Sequence, residues 1–269
     1  MTDNPTLANL RLDGKWALVC GASKGIGAAT AHALADLGAD VTLVARSEES
    51  LKQTFQRLRA QGTQRHGYFT ADFDQPERLK ATVEDWLKRT PRVHILVNNT
   101  GGPPGGPAHL AKPEEYQAAF SRHLICNQIL VQSILPAMRN AGYGRIVNII
   151  STSVKEPIKG LGVSNTVRAA VAGWAKTLAG ELGPYGITVN NVLPGYTRTG
   201  RLESLFGSRA QKEGRSVADI EAEARALIPL GRIAEPEEIA AAIAFLASPA
   251  AAYITGVSLP VDGGRIQGL

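Results

Sequence analysis

A glycine-rich turn near the start of the chain carries the first residues whose spacing suggests chemistry. The segment "CGASKGIG" places Gly21, Gly25 and Gly27 in a G-x-x-x-G-x-G pattern between an apolar run and a helical one. Glycines at this spacing allow a tight turn, and they let backbone N–H groups and a helix N-terminus approach a pyrophosphate. The turn therefore predicts a dinucleotide-binding site.

The residue that follows the second apolar run indicates which dinucleotide binds. An acidic residue there would hydrogen-bond the ribose 2′-hydroxyl of NAD. This chain instead has Arg46 followed by Ser47, and Lys24 in the glycine turn adds a second positive charge. Because arginine binds a phosphate in a bidentate manner, we predict NADP(H) in preference to NAD(H). The alternative is that both cations are solvated surface residues.

Short apolar runs alternate with helical patterns along most of the chain, and this alternation predicts βαβ units. We expect one Rossmann-like, doubly wound α/β domain over residues 1–269, with a mostly parallel seven-stranded sheet and helices on both faces. The predicted strands are Trp16–Cys20, Val41–Ala45, Gly67–Ala71, Ile95–Asn98, Arg145–Ile150, Ile187–Leu193 and Val257–Pro260. The predicted helices are Ile26–Leu37, Glu49–Gln61, Pro76–Lys88, Pro113–Asn140, Thr166–Leu182 and Pro236–Leu246.

The charged segment at about 196–235 interrupts this alternation. It contains Gly200, Gly207 and Gly214 and only a weak helical pattern at Val217–Leu227. Because it follows the carboxyl end of a predicted strand, we expect it to form a substrate lid. Two lid arginines, Arg201 and Arg209, either attract an anionic substrate or lie in solvent.

Several motifs, in the right order, resemble the short-chain dehydrogenase/reductase family and its group of β-ketoacyl-carrier-protein reductases. "GASKGIG" is similar to the family glycine motif, "NNTGG" to its N-N-A-G motif, and "NVLPGYTRT" to its Pro-Gly segment. The resemblance covers almost the whole chain and implies hydride transfer between a nicotinamide cofactor and a carbonyl or alcohol substrate. It places Asp72 at the adenine and Thr199 at the nicotinamide amide. The cofactor-binding residues it implies are Gly21, Ser23, Lys24, Gly25, Ile26, Gly27, Arg46, Ser47, Asp72, Asn98, Thr100, Gly101, Arg168, Pro194, Gly195, Thr197 and Thr199.

The catalytic positions depart from that family. Its members use a serine, a tyrosine 13 residues later and a lysine four residues beyond the tyrosine. In this chain Ser151 matches the serine, but Ser164 and Arg168 stand at the tyrosine and lysine positions. The segment "RAAVAGWAKTLAGEL" and the strand after it match in the same register, so misalignment does not explain the change.

A serine at position 164 cannot simply take over proton transfer from a tyrosine. Tyrosine has a reference pKa of about 10, whereas a serine hydroxyl is a much weaker acid on a shorter side chain. Arg168 keeps the positive charge and can bind a ribose hydroxyl, but arginine does not shuttle a proton near neutral pH. Loss of a positioned general acid typically costs about 10²–10⁴ in rate.

Other groups are candidates to supply the proton. His123 stands where the family has an asparagine, with Asn127 one helical turn later as a displaced partner. Lys155 and Tyr196 are two further candidates, and a water held between Ser151 and Ser164 is another. Each side chain also has an ordinary structural interpretation, as a buried histidine bound to backbone, a solvated lysine or a packing tyrosine.

These residues leave two main functional hypotheses open. The first is an NADP-dependent oxidoreductase with an altered proton route. The second is an NADP-binding protein without dehydrogenase activity, acting as a sensor or as a subunit of a mixed oligomer. A third possibility is that cofactor binding has been lost as well.

Composition limits the partners. The 269 residues are 44% hydrophobic with a net charge of +5, and the basic residues are scattered, so we expect no nucleic-acid partner. No span long and apolar enough for a membrane and no metal-binding spacing is found, and Cys20 and Cys126 resemble buried free thiols of a reducing compartment. We therefore expect a cytoplasmic protein with a small-molecule substrate and no metal. The family resemblance implies a homotetramer or homodimer.

Overall fold

A parallel seven-stranded sheet forms the centre of the protein. The computed structural model describes residues 9–60 and 62–268. Every described strand pairing is parallel, and the order is β3-β2-β1-β4-β5-β6-β7. The predicted doubly wound fold is therefore confirmed. The strands are β1 (Trp16–Cys20), β2 (Asp40–Ala45), β3 (Gly67–Thr70), β4 (Ile95–Asn98), β5 (Gly144–Ile149), β6 (Ile187–Pro194) and β7 (Ser258–Val261).

Helices cover both faces of the sheet. They are α1 (Gly25–Asp36), α2 (Glu48–Arg57), α3 (Pro76–Arg89), α4 (Pro113–Phe120), α5 (Cys126–Ala141), α6 (Gly162–Leu182), α7 (Gly200–Glu213), α8 (Val217–Ala226) and α9 (Pro236–Ala247). Short 3₁₀ turns lie at Ala108–Leu110, Thr152–Val154, Gly183–Tyr185 and Pro249–Ala251. No helix within the described ranges is long and apolar enough to cross a membrane.

Side chains of each central strand alternate between two hydrophobic cores. In β1, Ala17 and Val19 pack with α1 and α9, whereas Leu18 and Cys20 pack with α3, α5 and α6 on the opposite face. Burial on both faces explains why these strands are continuous apolar runs. Cys20 and Cys126 are both buried free thiols, as expected, and burial raises the pKa of each.

Helix α6 begins four residues before its predicted start at Thr166. Gly162 opens it, and a Cβ there would lie 2.5 Å from the Ala108 Cα. The glycine is required because the 3₁₀ turn at Ala108–Leu110 packs against the start of the helix. Ser164 consequently lies in the first turn of a helix. At α2, which ends at Arg57, the predicted end at Gln61 lies outside the described residues.

The predicted long helix over residues 113–140 is interrupted. A π-helical turn at Ser121–Ile125 separates α4 from α5, and it contains His123. Such turns insert one extra residue per turn and occur often at functional sites. The turn changes the direction in which this part of the helix presents its side chains.

The segment predicted as a lid contains two helices, of which α7 was not predicted. Leu202, Phe206 and Ile220 form a small core of their own, with Tyr196 packed against it. Thr199 caps α7 by accepting a hydrogen bond from the Leu202 N–H. Glycines within α7 hid its helical pattern, because tertiary packing outweighs their low helix propensity.

A buried ladder of side-chain amides ties β4, β5, β6 and β7 together. Asn98 Nδ2 donates to Asn148 Oδ1 at 2.8 Å, Asn148 Nδ2 donates to Asn191 Oδ1 at 3.0 Å, and Asn191 Nδ2 donates to Ser258 Oγ at 3.1 Å. The ladder crosses the sheet in register, from the last residue of β4 through β5 and the middle of β6 to the first residue of β7. It fixes the relative positions of these four strands.

Replacing Asn148 with alanine is expected to lower the free energy of unfolding by about 2–5 kcal/mol, because two buried amide groups lose a partner. Urea denaturation measures the change. Asn140→Ala at the exposed end of α5 is the matched control, and it should change the stability by less than about 0.5 kcal/mol. An equal effect of the two substitutions would show that the ladder contributes nothing.

Candidate active site

A cavity of about 580 Å³ lies at the carboxyl ends of the strands. Its walls include the turn after β1 and the turn after β4. These two strands are adjacent in the sheet, although β2 and β3 lie between them in the sequence. The strand order reverses at this point, and ligands of open α/β sheets bind at such a crevice. The volume lies within the range of about 300–1,000 Å³ that is typical of small-molecule sites.

Most of the residues singled out in the sequence line this cavity. The predicted cofactor residues in its wall are Gly21, Ser23, Lys24, Gly25, Ile26, Arg46, Ser47, Asp72, Thr100, Gly101, Arg168, Pro194, Gly195, Thr197 and Thr199. The predicted catalytic residues in its wall are Ser151, Ser164, Arg168 and Tyr196. The cavity therefore brings residues from the ends of six strands and from helix α6 to one surface.

The glycine turn has the shape that a dinucleotide phosphate requires. Gly21 and Gly25 have positive φ values of 61° and 57°, a conformation that favours glycine. A Cβ on Gly27 would lie 2.2 Å from the Gly21 carbonyl oxygen, so α1 can approach the turn only without a side chain there. The N-terminus of α1 is thus held at the cavity wall, where it favours an anion. These residues fit an NAD(P) pyrophosphate.

Two predicted cofactor residues do not reach the cavity. Gly27 lies beneath the turn, where its role is close packing. Asn98 is 2% exposed and belongs to the amide ladder, so its side chain does not line the cavity and its role as a cofactor contact stays a prediction. The next residue, Asn99, lines the cavity instead, and its Nδ2 donates to the Gly21 carbonyl at 3.3 Å. Alternation of side chains along a strand could have separated these two neighbouring asparagines.

One end of the cavity carries an ion-pair cluster that the sequence did not predict. Arg122 Nε donates to Asp74 Oδ1 at 2.7 Å, whereas Arg46 Nη1 lies 3.6 Å from the other Asp74 oxygen. Asp74 is therefore held mainly by Arg122. The side chain of Arg46 is 71% exposed, which leaves it able to turn toward a ribose 2′-phosphate.

Ser151 and Arg168 meet at the other end of the cavity. Ser151 follows β5, and its Oγ accepts a hydrogen bond from the Ser153 N–H at 3.1 Å. Arg168 Nη1 donates to the Ile149 carbonyl at 2.7 Å, whereas its Nε is buried and has no hydrogen-bond partner. Burial, and then the charge of Arg201, lower the pKa of Arg168 to about 10. Arg168 is therefore a fixed cation with one unused donor.

Ser164 lies one helical turn before Arg168 in α6. It is 9% exposed and lines the cavity. Its short side chain keeps the hydroxyl close to the helix. The wall at this position therefore has a small polar group and space in front of it.

Two of the candidate proton donors lie outside the cavity wall. His123 is 3% exposed, and burial, followed by the charge of Arg168, lowers its pKa to about 2. Its imidazole is therefore neutral at working pH, with Nε2 buried and unpartnered. Lys155 is exposed to solvent and does not reach the cavity. Their part as donors stays a prediction, and Asn127, which is 6% exposed, also lies outside the wall.

Tyr196 combines packing with a place in the wall. Its ring centroid lies 5.8 Å from that of Phe206, and the Arg265 guanidinium lies 5.1 Å from the ring centre. The ring therefore joins the lid core to the cavity. Its part in proton transfer stays a prediction.

A family model described as enoyl-(acyl carrier protein) reductase matches residues 21–265. The chain belongs to the short-chain dehydrogenase/reductase family. The match includes the glycine turn, the serine after β5 and the lid. The resemblance predicted from the motifs is therefore confirmed.

Relatives within this family are reductases and dehydrogenases. The chain is 34% identical to the short-chain reductase protein NovJ of Streptomyces niveus, with 93% of each chain covered. It is 35% identical to the 3-oxoacyl-acyl-carrier-protein reductase FabG of Vibrio cholerae, covering 95% of this chain and 98% of the relative. The L-sorbose reductase of Gluconobacter frateurii, solved with NADPH and L-sorbose, aligns with a TM-score of 0.90 at 29% identity, covering 97% of this chain and all of that one. These relatives place the chain among the NAD(P)-dependent oxidoreductases of C=O and CH–OH groups.

The geometry locates the positions at which the motifs predict catalytic residues in this member of the short-chain dehydrogenase/reductase family. Ser151 and the cation Arg168 both line the cavity. The phenol expected at position 164 is replaced by a buried serine. His123 and Lys155 do not line the cavity, and Tyr196 is the only tyrosine in the described part of its wall.

Proposed function

We propose that the protein is an NADPH-dependent reductase of a small carbonyl compound that works without the family tyrosine. The observation that carries the proposal is the state of Arg168. Its guanidinium is anchored by Ile149, stands at the cavity wall near Ser151, and has a buried Nε–H without a partner. A preorganised cation of this kind stabilises negative charge on a reacting oxygen.

The side chains divide the reaction between them. When bound, NADPH would supply the hydride that the carbonyl carbon accepts. Ser151 would orient the carbonyl oxygen through its hydroxyl, and Arg168 would stabilise the negative charge that develops on that oxygen. The resulting alkoxide takes a proton from a water molecule, which the Ser151 and Ser164 hydroxyls can hold. The overall change is one carbonyl, one NADPH and one proton converted to one alcohol and one NADP⁺.

The alternative is an NADP-binding protein without dehydrogenase activity. The buried, neutral His123 and the short Ser164 favour it, because three positions of the reaction centre differ together. Both functions require NADPH binding, and only the first requires turnover. Incubation of the purified protein with NADPH and a panel of ketones, aldehydes and quinones separates them. Turnover of one class above background supports the reductase, whereas saturable NADPH binding without turnover supports the alternative.

Preference for NADP(H) is part of the proposal, and Arg46 is the residue that would provide it. Arg46→Ala is expected to weaken NADPH binding by about 10- to 100-fold, because a charge-assisted hydrogen bond to the 2′-phosphate is lost. NADH binding should stay within about twofold. Fluorescence titration measures both affinities, and Arg89→Ala on α3, which pairs with Asp85, is the control for net charge. Equal weakening for the two cofactors would contradict the assignment.

The lid and the assembly complete the proposal. We infer that the segment at about 196–235 closes over the substrate, supported by Arg201 and Leu205 in the cavity wall.

A homotetramer or homodimer is supported by exposed apolar side chains, among them Phe120, Phe245 and a fully exposed Tyr253. Two free buried thiols fit a reducing compartment such as the cytoplasm.

A further inference from the structure

The two acidic residues in the described wall of the cavity lie among cations at one end, whereas the cations near Ser151 have no acidic neighbour in that wall. The acidic residues in its wall are Asp72 and Asp74, and Asp74 is paired with Arg122. Arg168, Arg201 and Arg265 line the end near Ser151. None of these three forms an ion pair with a carboxylate of the described residues.

Arg201 is held so that its guanidinium faces this end of the cavity. It is the second residue of α7, and its Nη2 donates to the Pro103 carbonyl of the opposite loop. A Cβ on Gly102 would lie 3.3 Å from the same nitrogen. Although Arg201 as a whole is exposed, burial of its guanidinium lowers its pKa. The group thus bridges the lid and the loop after β4.

Arg168 and Arg201 are close enough to repel each other. The charge of Arg201 contributes to the lowered pKa of Arg168, after burial. No described acid compensates this repulsion, and Arg168 Nε has no acceptor. An anion placed between the two guanidinium groups would remove the repulsion and supply the acceptor.

Arg209 shows the opposite arrangement within the same lid. It donates to Glu213 at 2.7 Å and to Glu223 at 2.6 Å, and these bonds raise its pKa. It does not line the cavity. Of the two lid arginines considered in the sequence, Arg201 therefore faces the cavity, whereas Arg209 is paired with two glutamates of the lid segment.

The remaining wall suggests what accompanies the anionic group. Ile158, Leu161 and Leu205 line the same end. A Cβ on Gly105 would meet the side chains of Leu161 and Leu205 at 3.5 and 3.8 Å, so both leucine side chains pack next to Gly105. Arg265 Nη1 donates to Thr152 Oγ1 at 3.3 Å and borders the other side.

From this arrangement we propose that the substrate is a small oxo acid, whose oxyanion group is bound by Arg201 while its carbonyl oxygen faces Ser151 and Arg168. The proposal rests on the proposed reductase function and names its substrate class. A carboxylate or a phosphate satisfies the guanidinium groups equally, since both accept bidentate hydrogen bonds. The carbon skeleton between the two groups contacts the apolar wall.

Binding to the complex of protein and NADP⁺ tests the proposal without requiring turnover. Titration calorimetry would compare 2-oxo, 3-oxo and 4-oxo acids and an oxo phosphate with their neutral methyl esters. We expect at least one anion to bind about 10- to 100-fold more tightly than its ester, the effect of one charge-assisted hydrogen-bonding partner. Arg201→Gln should abolish this difference and leave NADP⁺ affinity within about threefold, and Arg209→Gln should preserve it.

Each result has a defined meaning. The proposal is overturned if anions and esters bind equally, if none of them binds, or if the preference survives in Arg201→Gln. It is also overturned if Arg201→Gln weakens NADP⁺ as much as the oxo acid, because Arg201 would then serve the cofactor. Selective anion binding without turnover of any compound would retain the anion site and reject the reductase function.

Discussion

Arg168→Met is expected to lower kcat of carbonyl reduction by about 10²–10³-fold, the effect of removing one preorganised donor to a developing oxyanion. In the proposed mechanism the arginine supplies the charge, and its buried Nε–H has no other partner. Methionine retains part of the apolar packing but donates nothing. Because the charge is buried and unpaired, the free energy of unfolding should fall little or rise. Single-turnover measurements at saturating NADPH give the rate.

Two variants control this prediction. Arg168→Lys keeps the charge and should recover part of the rate. The shorter lysine side chain, with its single ammonium group, cannot reach Ile149 and the substrate together. Ser164→Ala should cost less than about tenfold, because a water can still be held by Ser151. If Arg168→Met kept full kcat, or if Ser164→Ala were the more damaging change, the role given to Arg168 would be wrong.

Gly27→Ala is expected to reduce NADPH affinity by at least about 100-fold and to lower the free energy of unfolding by about 3 kcal/mol, at the upper end for overpacking. The added methyl would lie 2.2 Å from the Gly21 carbonyl oxygen and 2.8 Å from Asn99 Nδ2. The Gly21 backbone and the Asn99 side-chain amide leave it no space, so α1 must move away from the turn. Thermal unfolding with and without NADPH measures both effects, since a ligand that binds only the folded state raises stability.

Gly180→Ala is the matched control for that substitution. Gly180 is exposed within α6, and a Cβ there meets no atom within 4 Å. Alanine should therefore stabilise the protein slightly, by up to about 1 kcal/mol, and leave NADPH binding unchanged. If both glycine variants bound NADPH normally, the close approach at Gly27 would have no importance for the cofactor.

The cofactor half of the site could be predicted from sequence because its requirements are steric and local. Gly21 and Gly25 stand where the backbone needs a positive φ, and Arg46 directly follows a strand. Motif matching does not say which of two adjacent asparagines, Asn98 or Asn99, lines the cavity. That distinction depends on pairing with Asn148 in the next strand.

The substrate half depends on contacts between distant parts of the chain. Arg201 is positioned by its hydrogen bond to the Pro103 carbonyl, about a hundred residues earlier, whereas Arg209 is paired with Glu223. His123 was a reasonable donor by residue type, but its burial could be known only from the fold. The helix α7 was missed because its packing against Ile220, and not its own propensity, holds it together.

The central claim is that hydride transfer persists with Ser164 and Arg168 in place of tyrosine and lysine. Its most direct test uses NADPH deuterated at C4 on each face in turn, with the oxo-acid panel and the carbonyl panel as acceptors. Mass spectrometry of the alcohol product then measures the transferred label. We predict deuterium at the carbinol carbon from one face only, with its rate lowered by Arg168→Met. Saturable NADPH binding with no deuterium transfer to any acceptor would contradict the claim and identify an NADP-binding protein without dehydrogenase activity.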